Sequence, residues 1–165
     1  MSAKLIVLRG PSGSGKTTVA RELQYVSQRD IVIVEQDYFR HDFLANKPDE
    51  KNIMPEMIYN NTMTALDAGY DVIVEGIFKK EKYKPMFERL MDAFDGEKYV
   101  YYFDIGFDET VRRHGTREKS AMFGAKDMKE WYFMAEPLGI DLEYHILETS
   151  GADDTIKLIQ SRAGL

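Results

Sequence analysis

Four residues near the start of the chain have both the type and the spacing to hold a polyphosphate. Gly10, Gly15, Lys16 and Thr17, within GPSGSGKTT, fill the pattern G-x-x-x-x-G-K-[ST]. Glycines let the backbone curl so that successive N–H groups point inward at phosphate oxygens. A helix beginning there adds its positive end. Lys16 supplies a point charge for the outer phosphates, and the Thr17 hydroxyl is a ligand for Mg²⁺. The full cradle then runs through Gly10, Ser12, Gly13, Ser14, Gly15, Lys16, Thr17 and Thr18. Average composition produces this pattern in a chain of such length about once in 200. Nucleoside triphosphate binding follows from it.

The loop works only between a strand and a helix. KLIVLR, residues 4–9, is a short apolar run ended by Gly-Pro, and reads as a buried strand. Val19, Leu23 and Val26 then recur at helical spacing. Lys16 is expected at a solvent-facing helix start where it packs nothing. Four further strand-like runs follow: DIVIVEQD at 30–37, DVIVEGIF at 71–78, KYVYYFDI at 98–105 and EYHILET at 143–149. Helical stripes lie between them. Ile58, Thr62, Ala65 and Leu66 form one, stopped by Gly69; Phe87, Leu90, Met91 and Phe94 form another. Met128, Trp131, Tyr132 and Ala135 form a third, and Ile156, Ile159 and Ala163 close the chain. Five strands alternating with helices predict an α/β fold whose parallel sheet is covered on both faces. Ligands of such sheets sit at the carboxyl ends of the strands.

The residues just after the strands are therefore the next candidates. Asp37 follows the second run, and Glu75 ends the apolar part of the third. One carboxylate there is an ordinary cap or turn former. Two, at the sheet end that presents the phosphate loop, match phosphoryl transfer. That chemistry needs one carboxylate to orient or deprotonate an acceptor hydroxyl and another to position Mg²⁺ or its waters. After the fourth strand, residues 112–126 hold five Lys or Arg against one Glu. Arg113 and Arg117 would share a helical face, although Gly115 interrupts it. The segment HGTREKSAMFGAKD has two glycines and small residues, the composition of a mobile loop. Arginines on such a lid would neutralise charge as a γ-phosphoryl group moves. Arg112 reads equally well as part of this set or as a solvated helix end. The tyrosines of YVYYF, together with Met128 and Trp131, read as core. Ser150 and Gly151 follow the fifth strand, where either a nucleobase edge or a plain turn accounts for them. Residues 39–59 show no strand signal and are expected to wall an acceptor pocket.

Composition sets outer bounds. The 165 residues are 44% apolar and 30% charged, ample for one domain with a core. No apolar stretch reaches the length of a membrane span, and no signal peptide precedes the first strand. There is no cysteine, which removes disulfides, zinc–thiolate sites and cysteine nucleophiles and fits a reducing cytoplasm. His41, His114 and His145 lack metal-ligand spacing. The net charge of −6 argues against a nucleic-acid partner.

The series GPSGSGKTT, DYFR after strand two, EG after strand three and an arginine-rich segment resembles the small P-loop kinases. It is most similar to the branch holding chloramphenicol phosphotransferase, zeta toxins, gluconate kinase and polynucleotide 5′-kinases. ETVRRHGTR followed by a WY helix resembles bacterial kinase-like proteins within that branch. The resemblance implies a three-layer P-loop NTPase fold with strand order 2-3-1-4-5 across one domain, residues 1–165, and a short lid at about 115–126. It implies ATP and Mg²⁺ as the nucleotide and its ion. It makes Asp37 the acceptor-side carboxylate, Arg40 an acceptor or phosphate contact, and Arg113 and Arg117 lid arginines. Many relatives carry Asp where this chain has Glu75, so contact with the ion is direct or through water. The expected activity is γ-phosphoryl transfer to a hydroxyl of a small molecule such as a nucleoside, sugar or antibiotic. A polynucleotide 5′-hydroxyl kinase and a nucleotide-dependent switch or ATPase are the alternatives.

Overall fold

The structure is a computed structural model, which describes residues 2–115, 124–132, 136–140 and 142–165. In chain order it runs β1 Lys4–Arg9, α1 Lys16–Val26, β2 Ile31–Glu35, a helical turn α2 Gln36–Tyr38 passing into a π-helical turn Phe39–Phe43, α3 Met54–Asp67, β3 Asp71–Gly76, α4 Lys80–Ala93, β4 Glu97–Asp104, α5 Phe107–His114, α6 Ala125–Tyr132, β5 Glu143–Leu147 and α7 Ala152–Ala163. All five strands are parallel, in the order β2-β3-β1-β4-β5. The chain has the three-layer P-loop fold that the sequence led us to expect.

Strand periodicity explains the layers. Successive side chains point to opposite faces, so Leu5 and Val7 of β1 join one apolar cluster while Ile6 and Leu8 join the other. The first cluster is closed by Ile58 and Leu66 of α3 and Phe87 and Leu90 of α4. The second is closed by Val19 and Leu23 of α1 and Ile156 and Ile159 of α7. Both faces are covered, which is why the central strands read as continuous apolar runs.

The register brings the carboxyl ends level. Leu8 lies beside Glu75, Arg9 beside Gly76 and Tyr102, and Glu35 beside Glu75. The second strand is shorter than the run 30–37 from which it is read, and Asp37 follows it as the sequence leads one to expect. β2 stops at Glu35, and Asp37 lies on the helical turn that follows. Glu75 is within β3.

Candidate nucleotide and acceptor site

The loop between β1 and α1 has the backbone its glycines permit. Gly10, Gly13 and Gly15 all have positive φ, at 148°, 81° and 104°. A Cβ on Gly10 would lie 2.8 Å from the Phe103 backbone oxygen, and one on Gly13 would lie 2.7 Å from that of Thr110. These two glycines seat the loop against β4 and α5. A Cβ on Gly15 would meet nothing within 4 Å. Gly15 therefore faces open space at the start of α1, where a phosphate can approach the backbone N–H groups.

Lys16 corrects the sequence expectation. It is buried, 6% exposed, and its ammonium donates to Pro11 O at 2.8 Å and Ser14 Oγ at 3.2 Å. The loop curls back over the first turn of α1, so the helix start is not open to solvent on that side. Thr17 is half-buried and donates its hydroxyl to Glu75 Oε1 at 3.0 Å. Glu75 is 4% exposed. Burial pushes its carboxyl above the usual glutamate range; Lys16 and the Thr17 hydrogen bond oppose this, and the nearby charges of Glu35 and Asp37 add to it. Thr17 and Glu75 thus offer a facing pair of oxygens. That donor set fits Mg²⁺, which takes one or two protein oxygens and completes its shell with phosphate and water. No group of three or more His, Cys, Asp or Glu able to hold a metal occurs among the described residues.

Asp37 is half-exposed and stands at the same sheet end, 3.9 Å from His41. Arg40, on the π-helical turn, is exposed and lies over the Trp131 ring, 5.7 Å from its centroid. Trp131 is half-buried at the end of α6, so it is not the core residue its helical spacing suggested. Met128, one turn earlier on α6, is buried, and its Cε would stand 3.0 Å from a Cβ on Gly13. Helix α6 therefore borders both the phosphate loop and Arg40.

Arg113 lies within α5, not on a loop. It donates to Glu109 Oε1 at 2.6 Å, to Ser14 O at 3.2 Å and to Glu148 O at 3.0 Å. Arg112 pairs with the same Glu109. Between these two arginines the Glu109 carboxyl is pulled down to about 2. Arg117, and residues 116–123 of the expected lid, lie outside the described residues. A cavity of ≈ 320 Å³ opens beside the loop. Ser14, Gly15 and Thr18 form one wall, Arg112 and Arg113 a second, and Ser150 and Gly151 a third. A larger groove of ≈ 670 Å³ runs along the outer edge of β2 and includes none of the loop residues.

Three residues at this sheet end carry no sequence signal that we read. Arg9, the last residue of β1, is fully buried and ion-paired to Glu143 at 3.1 Å. Phe78, after β3, is buried with φ of 51°. Gln36 accepts the Phe78 N–H at 3.0 Å. One signal was available: a charge closing an apolar strand directly before the first loop glycine.

With this geometry in place, comparison with known proteins is informative. The family model described as an AAA domain matches residues 5–134. The chain belongs to the AAA domain family. No curated protein matches it. Among solved structures, this AAA-domain chain resembles a sugar kinase from Janibacter sp. (TM-score 0.75, 19% identity, covering 99% of this chain and 95% of that one). It also resembles the APS kinase of Mycobacterium tuberculosis in complex with AMPPNP and APS (0.73, 16%, 99% and 99%). A third is a chain of the Pnkp1/Rnl/Hen1 RNA repair complex (0.66, 19%, 86% and 47%). These likenesses are of fold, and they agree with the resemblance to small P-loop kinases. Among the described residues no helix is long and apolar enough to cross a membrane.

Proposed function

We propose that the chain is an ATP-dependent kinase that moves the γ-phosphoryl group of Mg-ATP to a hydroxyl of a small molecule. The observation that carries this reading is the pairing of two carboxylates with different surroundings at the mouth of one phosphate loop. Glu75 is buried against Thr17. Asp37 is half-exposed, beside His41. Thr17 and Glu75 would hold Mg²⁺, directly or through water; the ion would draw off charge from the phosphate oxygens. Lys16 would hold the outer phosphates once it leaves the Pro11 carbonyl. The base would occupy the cavity between α5 and the turn at Ser150–Gly151. Arg113 would hold α5 against the loop, with Arg117 as the lid arginine. Asp37 would align the acceptor hydroxyl, with Arg40 as a further acceptor contact. As the oxygen–phosphorus bond forms and the bond to the ADP oxygen breaks, the hydroxyl proton passes to Asp37. The transition state is loose, so this proton moves late.

A nucleotide switch needs a positioned water and segments that report the γ-phosphate to a partner. A half-exposed carboxylate beside His41, on the turn that leads into Arg40, suits an acceptor better. A chain of net −6 also suits a small acceptor better than an extended nucleic acid. A reaction fuelled by ATP, in a chain without cysteine, belongs in the cytoplasm.

The test is a screen of nucleosides, sugars, aminoglycosides, chloramphenicol and a 5′-hydroxyl oligonucleotide with labelled ATP. It is followed by single-turnover transfer in Asp37→Asn. The variant should slow transfer by roughly 10²–10⁴-fold with little change in ATP affinity. Label on the oligonucleotide alone would make the chain a polynucleotide kinase. Unchanged transfer with weakened Mg-ATP binding would make Asp37 a metal ligand.

A further inference from the structure

A fully buried arginine is a costly way to end a strand. Desolvation of the guanidinium is offset only by its partners. Arg9 follows the apolar run Leu5 to Leu8 and precedes the first loop glycine, where a fifth apolar residue would continue the core. Instead its side chain emerges on the face of β1 that carries Leu5 and Val7. There Nη1 meets Glu143 at 3.1 Å, and Nη2 donates to Phe78 O at 2.7 Å and Glu136 O at 2.9 Å. The guanidinium also lies 5.8 Å from the centroid of the Tyr102 ring. The Arg9 Nε atom is buried and has no hydrogen-bond partner among the described residues. One end of the guanidinium, Nη2, thus serves two particular carbonyls while the other, Nη1, meets a carboxylate.

Both carbonyls belong to segments that need holding. Phe78 has a left-handed backbone, which is strained for a bulky side chain. It persists because its N–H is held by Gln36 Oε1 and its carbonyl by Arg9. The same turn is closed down on Gln36 at Gly76, where a Cβ would lie 2.6 Å from the Gln36 side chain. Gln36 precedes Asp37, and Gly76 follows Glu75. The shape of this turn therefore sets the spacing between the two carboxylates. Glu136 begins the stretch 136–140, whose Leu138 is buried in the cluster beneath α3 and α4. Glu143 accepts the Leu138 N–H at 3.2 Å and the Gly139 N–H at 3.0 Å, and so pins the same stretch from its other end.

We infer that Arg9 is a positioning residue for phosphoryl transfer. From the root of the phosphate loop it fixes the strained turn between Glu75 and Asp37, and ties that turn through Glu143 to residues 136–140. It touches neither reacting group; it acts through the Phe78 carbonyl. The inference rests on the kinase reading of the site.

Lysine at position 9 keeps a charge near Glu143 but has a single nitrogen, where arginine spreads its bonds over Nη1, toward Glu143, and Nη2, toward both carbonyls. Steady-state transfer to the acceptor found in the screen is measured for wild type, Arg9→Lys and Gln36→Ala, the last releasing the same turn from its other side. Each variant should raise the acceptor KM by about tenfold and lower kcat, with the KM for ATP unchanged. Amide hydrogen exchange at 76–80 and 136–140 should quicken while α1 and α7 stay protected. A lower apparent kcat with both KM values unchanged, or exchange that quickens everywhere, makes Arg9 a stability residue only and overturns the inference. Wild-type transfer that Arg9→Lys matches overturns it alone. A wild-type chain that phosphorylates no acceptor overturns the kinase reading and this inference together, whatever the exchange pattern.

Discussion

At the scale of single residues, two buried charges face each other across the loop, and each predicts a different behaviour. Without nucleotide, Lys16 satisfies Pro11 O and Ser14 Oγ. Lys16→Ala should abolish nucleotide binding and transfer. It should also remove two hydrogen bonds that hold the loop, although Pro11 O keeps the Ser14 N–H, at a cost of about 1 kcal/mol in folding stability. A titration with a non-hydrolysable ATP analogue and a thermal melt read the two effects separately; normal affinity would remove the cradle account. Glu75 behaves in the opposite way. Burial raises its carboxyl pKa above the ordinary value of 4.5. Below that value the folded and unfolded chains both carry the proton, and Glu75 contributes no pH dependence. As pH rises from there through the raised value, the unfolded chain gives up its proton first. Stability therefore falls across that window and levels off above it. In nucleotide-free, Mg²⁺-free buffer, Glu75→Gln should melt at a higher temperature than wild type at neutral pH, with the gap closing toward pH 4. A gap that stays constant with pH would show that Glu75 is not the titrating group. With Mg²⁺ and the ATP analogue present, the order should reverse, because the variant lacks the charge that would hold the ion.

At the scale of elements, α5 is a wall that one side chain bolts to the loop. Arg113 bridges α5, the loop carbonyl of Ser14 and the β5–α7 turn at Glu148. Because these partners belong to the chain itself, Arg113→Ala should weaken binding of the ATP analogue, by about tenfold. That follows from charge-assisted hydrogen bonds worth about 1.5–3 kcal/mol, discounted for partial exposure. Unchanged binding with a reduced kcat would place its role on the moving phosphoryl group instead. Local pattern made most of these elements legible. β1 is bounded correctly because an apolar run ends at Gly-Pro. Glu75 was found because a carboxylate closing an apolar strand is visible without tertiary knowledge. Arg9 was not, because its partners lie 69, 127 and 134 residues away and two of them are backbone carbonyls. Trp131 was misread for a related reason. Helical spacing tells which face it shares with Met128, but not that Arg40 of a distant turn borders that face. Lys16 was misread because the pattern specifies a loop but not how tightly it folds back on the helix.

At the scale of the whole molecule, the sheet has a chemical end and a structural end, and they should respond to mutation independently. The carboxyl ends of β1, β2 and β3 carry the phosphate loop, Asp37 and Glu75. At the opposite end, Asp71 opens β3 and is 1% exposed. It accepts the Lys4 backbone N–H at 2.9 Å and Arg29 Nη2 at 2.7 Å, with Arg29 Nε on its second oxygen. Arg29 follows α1, and Lys4 begins β1, so this one carboxylate joins β1, the end of α1 and β3 below the core. Arg29→Met keeps the length of the stem but strands a buried charge. Such a break costs about 3 kcal/mol or more. In a chain of this size that corresponds to a fall in Tm of roughly 6–12 °C. Because β1 lies between this pair and the loop as a rigid, fully paired strand, affinity for the ATP analogue measured well below the new Tm should stay within about twofold of wild type, as expected for separated sites. A variant that melts early and also loses nucleotide affinity at low temperature would show that the two ends of the sheet are coupled. The loop geometry would then depend on the register of β1 as well as on its own glycines.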